Sequence, residues 1–362
     1  MQVKVKITFI LPHVRISGGV KALLEYANRL VSLGAETQII VPEKPLKWYR
    51  FLDTMARNKT GAVSIDPESI DWFSNKVPIL KVPAIKDSTM PNSDILVASS
   101  WETAYAAEKL SLIKGRKFYF VQHYETLWTR KKEDSEKTYQ MDFEKIVISD
   151  WLKSILSENF SQPSEVLVTP IDKTQFVQKE KKWNTPPKIC LMHHDYDWKG
   201  YDDGINSVRN ALNQNLKLDL TVFGEKLKDP APLLKNAGFD FEYCYRPTGN
   251  AVRDLFFNCD IYLCPSWYEG LGMPAMEAMA SRCALVTTDT GGSRNYAIHD
   301  QTALVSPPKD PQALSKNLVE LIKNIELRKN ISENGYQKIK EFSWDTNCQK
   351  LFKVFQSPKQ KK

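Results

Sequence analysis

Short apolar runs of strand length alternate with segments of helical periodicity along this chain, and that alternation restricts the fold more than any other feature. Val3–Pro12 reads as a strand, followed by Gly18-Gly19. Apolar residues then fall at Val20, Leu23, Leu24, Ala27, Leu30 and Val31, which is helical spacing, until Gly34 ends the helix before a second strand, Thr37–Pro42. Residues 43–92 are less regular, with Pro, Lys and Trp and a short apolar piece at Pro78–Val82. Strands resume at Asp94–Ser99, Lys117–His123, Lys145–Ser149 and Glu165–Pro170, with helices at Glu102–Leu110 and Asp150–Phe160. The polar, Lys- and Pro-rich segment Asp172–Pro187 reads as a linker. The alternation then restarts, with strands at Lys188–His193, Leu218–Gly224, Phe239–Tyr245, Ile261–Ser266, Ala284–Asp289 and Ala303–Pro307. Helices are expected at Asp203–Gln214, Val252–Cys259, Met273–Ser281 and Gln312–Asn324. Strands that are apolar throughout belong to parallel sheets covered by helices on both faces. The expected fold is therefore α/β, with two doubly wound parallel-sheet domains facing across a cleft. Residues 1–172 form the first domain, 173–187 the linker and 188–343 the second domain. Residues 344–362 form a final helix, marked by Trp344, Leu351, Phe352, Val354 and Phe355, plus a basic tail.

Length and composition agree with two soluble domains. The chain has 362 residues, of which 42% are hydrophobic and 26% charged. Its longest apolar stretches are five to seven residues, whereas a membrane-spanning helix needs about 20. Strand-like sequence begins almost at Met1 with no secretory signal, and the six cysteines are scattered without C-x-x-C spacing. A reducing, cytoplasmic setting is expected. The net charge of +7 includes the tail Lys359-Gln360-Lys361-Lys362. No dense basic stripe or groove-binding motif accompanies it, so nucleic acid is not an expected partner. The excess suits anionic small molecules, or peripheral attachment to the inner face of the cell membrane. No sequence signal specifies an oligomeric state.

Ligands of open parallel sheets bind beyond the carboxyl ends of the strands, and one such loop is rich in chemistry. It runs Pro265-Ser266-Trp267-Tyr268-Glu269-Gly270-Leu271-Gly272-Met273-Pro274 and continues into a helix carrying Glu277. Pro is favoured in a first helical turn because the N–H groups there lack intrahelical partners. Those N–H groups, backed by the helix dipole, suit a diphosphate. Gly270 and Gly272 let the backbone come close to it, and Glu269 and Glu277 supply carboxylates for a sugar and for ribose hydroxyls.

The Glu269/Glu277 pair, with Gly-Leu-Gly after the first and Glu-Ala-Met-Ala at the second, resembles the signature of retaining glycosyltransferases of family 4. The strand Asp260–Ser266 and the turn Thr288-Asp289-Thr290-Gly291-Gly292 fit the same pattern. The resemblance implies the GT-B fold, two Rossmann-like domains with a nucleoside-diphosphate sugar as donor substrate. It implies no tightly bound cofactor and no metal, with a glycan or lipid-linked acceptor. By this likeness, Gly270, Leu271, Gly272, Met273 and Glu277 hold the donor. In the loop His193-His194-Asp195-Tyr196-Asp197-Trp198-Lys199-Gly200, Lys199 matches the family's diphosphate-binding Lys. The family's Arg is replaced by His193 or His194, and a Lys alone lacks the bidentate geometry of Arg. His194, or Arg294 from the Gly-Gly turn, is expected to share the phosphate. Asp195-Tyr196-Asp197 as a D-x-D metal motif, and His193, His194 and Asp195 as metal ligands, are rival readings with shorter matches.

The family likeness also assigns Gly18-Gly19 to the donor diphosphate and the acceptor, and His123 to the transferred sugar. Glu125 is a weaker candidate on the His123 loop. Residues 43–92 and Trp128–Lys137 are expected on the acceptor side, with Trp48, Trp72 and Trp128 as stacking candidates. In the implied reaction the departing diphosphate helps to deprotonate the incoming hydroxyl, and Lys199 and Glu269 act at the reacting centre. The expected function is sugar transfer in cell-surface polysaccharide biosynthesis. Two alternatives are a GT-B-like binding subunit without turnover and a nucleotide-sugar 2-epimerase, for which the first domain shows no set of catalytic acids.

Overall fold

The structure is a computed structural model and describes residues 4–43, 46, 63–65, 70, 72–172, 175–176 and 180–358. The chain divides into two compact units, Met1–Thr169 with Asp345–Lys362, and Pro170–Trp344.

The first unit runs β1 (Lys6–Ile10), α1 (Gly18–Ser32), β2 (Glu36–Pro42), β3 (Val63–Ile65), β4 (Ile79–Val82), β5 (Ile95–Ala98), α2 (Trp101–Glu108), β6 (Arg116–Val121), α3 (Lys132–Gln140), β7 (Glu144–Val147), α4 (Asp150–Phe160) and β8 (Ser164–Val166). Its eight strands are ordered β3-β4-β2-β1-β5-β6-β7-β8, and only the pairing of β3 with β4 is antiparallel. The second unit runs β9 (Lys188–Met192), α5 (Tyr201–Asn213), β10 (Asp219–Gly224), α6 (Ala231–Ala237), β11 (Glu242–Tyr245), α7 (Asn250–Asn258), β12 (Ile261–Cys264), α8 (Met273–Ala280), β13 (Ala284–Thr288), β14 (Leu304–Ser306), α9 (Pro311–Lys323) and α10 (Ile325–Lys340). Its six strands are parallel, in the order β11-β10-β9-β12-β13-β14. The order reverses at β9 and β12, and crevices for ligands in such sheets open where the order reverses.

Burial explains why the central strands carry no alternation. Every residue of β5, β12 and β13 is buried, as expected where helices cover both faces. In the second unit Ile189, Leu191, Val222, Ile261, Leu263 and Val286 pack with Val208, Leu314 and Leu318 of the helices in one core. Edge strands are shorter than the sequence suggests. Phe239 and Phe241 stay outside β11, which begins at Glu242, yet both pack on that core.

The final helix, α11 (Trp344–Gln356), belongs to the first unit from Asp345 onward. Arg116 binds Glu144 through two nitrogens, at 2.5 and 2.9 Å. The same guanidinium donates to the carbonyls of Val354, Phe355 and Ser357, capping the carbonyl end of α11. Asn347 donates to Val168 O at 2.6 Å, and Phe355 meets Phe118 edge-on with ring centroids 4.9 Å apart. The segment read as a linker is attached to the second unit where it is described. There Lys181 Nζ donates to Phe257 O at 3.1 Å, and buried Asp260 accepts from Asn184 Nδ2 and from Lys188 N.

Candidate active site

The site in the second unit is assembled by the loops that follow β9, β12 and β13. The β9 loop closes in a short turn, with Lys199 N–H donating to Tyr196 O at 2.9 Å and Gly200 N–H to Asp197 O at 2.9 Å. Gly200 has φ 66° and caps α5, and a Cβ there would collide with the carbonyl oxygen of Pro265. A glycine is required on both counts. The β12 loop answers with Trp267 N–H donating to Trp198 O at 2.8 Å, and Trp267 Nε1 donates to Asp203 Oδ2 at 2.9 Å.

These ties bring Lys199 and Glu269 together. Lys199 Nζ lies 2.6 Å from Glu269 Oε1, with only 13% and 11% of the two side chains exposed. The same ammonium sits 4.4 Å from the centroid of the Trp198 ring, a cation–π contact. Glu269 is held by its backbone, which donates to Thr290 O at 3.0 Å and accepts from Gly292 N–H at 3.2 Å. A Cβ on Gly292 would come 2.7 Å from Glu269 O, which explains the second glycine of the Gly291-Gly292 turn.

Helix α8 begins beside this pair. Gly272 caps it in the left-handed region at φ 87°, and Pro274 stands in its first turn. A Cβ at Gly272 would lie 3.7 Å from Glu269 Cβ and 2.7 Å from the Tyr296 hydroxyl. That hydroxyl donates to Leu271 O at 2.9 Å and fixes the loop from behind. Gly270 abuts Gly292, Met273 is the first residue of α8, and Glu277 is one turn further along the helix. No side chain caps α8; Pro274 carries no N–H and the Ala275 N–H donates to Gly272 O at 3.0 Å, which leaves the Met273 N–H as the first-turn donor at the positive end of the helix dipole.

The histidines of the β9 loop differ from each other. His193 donates its backbone N–H to Phe223 O and sets its ring edge-on to Tyr201, with centroids 4.8 Å apart. His194 Nδ1 accepts the Tyr196 N–H at 3.2 Å, which places the imidazole proton on Nε2. Burial, and then the Lys199 charge, lower the His194 pKa below its ordinary value. His194 is therefore neutral at pH 7, with its Nε2–H as a donor.

Arg294 lies on the β13 side, 66% exposed, with Nε 2.9 Å from Asp289 Oδ1 and Nη2 2.8 Å from Oδ2. Burial pushes the Asp289 carboxyl up, but Arg294 and the Gly291 N–H more than offset it, so its pKa is lowered. The guanidinium is engaged with a carboxylate of its own turn.

Sequence reasoning missed a stack of rings around Lys199. His194, Tyr196, Trp198 and Tyr268 lie one on the next, with centroids 4.5, 5.5 and 5.0 Å apart and interplanar angles of 28°, 16° and 19°. The signal was present in part, because His194, Tyr196 and Trp198 recur at every second position, as on one side of an extended segment. Tyr268 joins from 70 residues further along, which spacing does not reveal.

The remaining candidates lie in the first unit. Gly18 and Gly19 are the first residues of α1, capped by Ser17 Oγ accepting Val20 N–H at 3.2 Å. Neither has a positive φ; Gly19 instead makes room for Gln122, whose amide would lie 3.1 Å from a Cβ there. His123 follows β6, edge-on to Trp128 at 6.4 Å, and its carbonyl accepts from Tyr139 Oη at 3.4 Å. Glu125 is buried, with Oε2 accepting from Trp101 N–H at 2.8 Å and Tyr119 Oη at 2.9 Å. Trp72 Nε1 donates to Val14 O at 3.2 Å. Trp48 lies outside the described residues.

Among the described residues, no group of three or more His, Cys, Asp or Glu side chains is placed to hold a metal ion, and no helix is long and apolar enough to cross a membrane.

Residues 172–338 match the family described as glycosyl transferases group 1. The match falls within the second unit, which is similar to a group 1 glycosyltransferase domain. An uncharacterized glycosyltransferase of Methanocaldococcus jannaschii is 28% identical over 213 residues, 58% of this chain and 58% of that protein. The O-antigen chain mannosyltransferase B of Escherichia coli is 22% identical over 225 residues, 56% of this chain and 57% of that protein. The chain thus spans less than two thirds of these relatives. Among solved structures, Anabaena HepE in complex with UDP and glucose aligns over 98% of this chain and all of its own, with a TM-score of 0.75 at 13% identity. At that identity the likeness speaks for the fold, which is GT-B.

Proposed function

We propose that the chain is a retaining glycosyltransferase that moves a hexosyl or deoxyhexosyl group from a nucleoside-diphosphate sugar to a glycan or lipid-linked acceptor in cell-surface polysaccharide biosynthesis. The observation that carries this reading is the Lys199–Glu269 pair set against the amino end of α8, which no side chain caps. A cation beside the positive end of a helix dipole, with the Met273 N–H at its start, suits a diphosphate leaving group. Glu277, one turn into α8, is assigned to the ribose, and the neutral His194 Nε2–H to a phosphate oxygen. Gly18-Gly19 and His123, at the carboxyl ends of β1 and β6, are assigned to substrate in the first unit, the acceptor side.

In the reaction the bond from the anomeric carbon to the diphosphate oxygen breaks, and the bond to the acceptor oxygen forms on the same face. The acceptor proton passes to the departing diphosphate. Lys199 and the positive end of the α8 dipole stabilise the charge that develops there, so no metal is required in this reading. The E. coli relative's name, an O-antigen chain mannosyltransferase, supports the substrate class. The basic excess of the chain supports peripheral contact with an anionic membrane face.

Thermal unfolding against UDP, GDP, dTDP and ADP in EDTA tests the donor site. A ligand at 100 times its Kd adds about 2.7 kcal/mol to stability. A shift with one diphosphate that vanishes in Glu277→Ala is expected. No shift with any of the four would overturn the reading.

A further inference from the structure

Lys199 is paired with an anion of the chain itself, and that carboxylate belongs to a residue the reaction needs. We propose that Glu269 stands in for the donor's diphosphate on Lys199, and that donor binding exchanges one anion for the other while Trp198 keeps the ammonium in place. The inference rests on the donor-site reading above and concerns how that site fills and releases its charges.

Two sides of the ammonium are taken. Glu269 Oε1 lies 2.6 Å away on one, and the Trp198 ring centroid lies 4.4 Å away on another. The Trp198 ring itself stacks with Tyr196 and with Tyr268, and the Trp198 carbonyl is tied to Trp267 N–H. Lys199 is fixed at its backbone by the turn to Tyr196 and by the close approach of Gly200 to Pro265. The lysine side is therefore the stationary partner. Glu269 is pinned at its backbone through Thr290 and Gly292, so its carboxylate leaves only by rotating its own side chain.

The exchange has an electrostatic reason. A buried ammonium without a counter-ion is costly, and breaking a buried pair by removing one partner is strongly destabilising. With Glu269 on Lys199 before the donor arrives, and phosphate afterwards, the cation is never left alone. The carboxylate set free then lies beside the sugar, where positive charge develops at the anomeric carbon as the diphosphate departs. One residue thus opposes donor binding and assists the transition state, which is differential binding built into an ion pair.

The consequence is opposite in sign for affinity and for rate. In the full chain, titrated calorimetrically with UDP, GDP, dTDP and ADP, Glu269→Gln should bind the recognised diphosphate about tenfold more tightly than the unsubstituted protein. It should also lose most turnover. Glu269→Asp, whose shorter carboxylate holds Lys199 less closely, should gain part of that affinity, and the unfolding midpoint of each variant checks its fold. In a Lys199→Met background the Glu269→Gln gain should disappear. Unchanged or weaker diphosphate binding by Glu269→Gln and Glu269→Asp overturns the exchange, as does a gain that persists without Lys199. If the unsubstituted chain binds none of the four diphosphates, the donor-site reading falls and the exchange falls with it.

Discussion

Gly200 and Pro265 approach so closely that the Pro265 carbonyl oxygen fills the place of any Cβ on Gly200, whose own φ of 66° is left-handed. This contact joins the loop after β9 to the loop after β12, and so joins Lys199 to Glu269. Gly200→Ala meets both a backbone-conformation penalty and a backbone clash. Unfolding in urea should show a loss of about 2–4 kcal/mol, with weaker nucleotide binding at temperatures where the variant remains folded. A midpoint equal to that of the unsubstituted protein would show that the loops do not depend on this contact.

Trp198 is expected to act through Lys199 and not on substrate directly. Its ring face lies 4.4 Å from the ammonium, and partly desolvated contacts of this kind are worth about 1–2 kcal/mol. Trp198→Leu should therefore weaken diphosphate binding roughly 5- to 30-fold, while Trp198→Phe, which keeps a ring face, should recover most of it. A role in packing alone would leave Phe and Leu equivalent in binding and separate them only in melting temperature.

The parallel sheets and the loops worth inspecting were legible because central strands are apolar at consecutive positions, as Ile261–Cys264 shows, and because glycines and Pro274 mark the entry to α8. Other elements were hidden by the chemistry of their buried faces. Helix α10 buries Arg328, Ser332 and Gly335 alongside Ile331, Tyr336 and Ile339. A Cβ on Gly335 would lie only 3.0 Å from Met279 Cε, so the face is small and polar where the helices are closest. Helix α3 buries Ser135, Thr138 and Tyr139, and its remaining sequence is mostly charged. Hydrophobic periodicity registers neither. Within the site, the glycine-rich loop pointed to Glu269 and the family resemblance to Lys199; their pairing across 70 residues, and the engagement of Arg294 with Asp289, are tertiary facts.

The C-terminal helix should depend on Arg116. This side chain joins Glu144 to three carbonyls at the end of α11 and lies over the Phe118 ring at 4.7 Å. Arg116→Ala leaves Glu144 without its guanidinium and those carbonyls without their cap, at a cost of about 2–3 kcal/mol. Amide exchange at Val354–Ser357 should quicken, with little change in the amides of β12 and β13 in the other unit. Arg116→Lys should behave almost as the Ala variant, since one ammonium does not reproduce the planar fork. Unaltered exchange at the end of α11 would remove Arg116 as its cap.

Glu125 should make stability depend on pH in the direction opposite to a salt-bridged carboxylate. Burial, and then the neighbouring Glu102 carboxylate, raise its pKa to about 8, while the donors Tyr119 Oη and Trp101 N–H only partly offset this. Because the folded chain holds this proton more tightly than the unfolded chain, the associated stability is complete below the unfolded pKa, which is 4.5 for an ordinary glutamate. It is lost as pH rises towards 8, on the order of a few kcal/mol. Glu102, itself raised by burial, titrates in the same sense. Glu125→Gln presents an uncharged group of the same shape to the same two donors. Urea unfolding at about pH 5 should give the two proteins similar stabilities, and at about pH 8.5 the variant should be the more stable one. Parallel pH profiles would mean that Glu125 is ionised within the folded chain, with Tyr119 and Trp101 outweighing its burial.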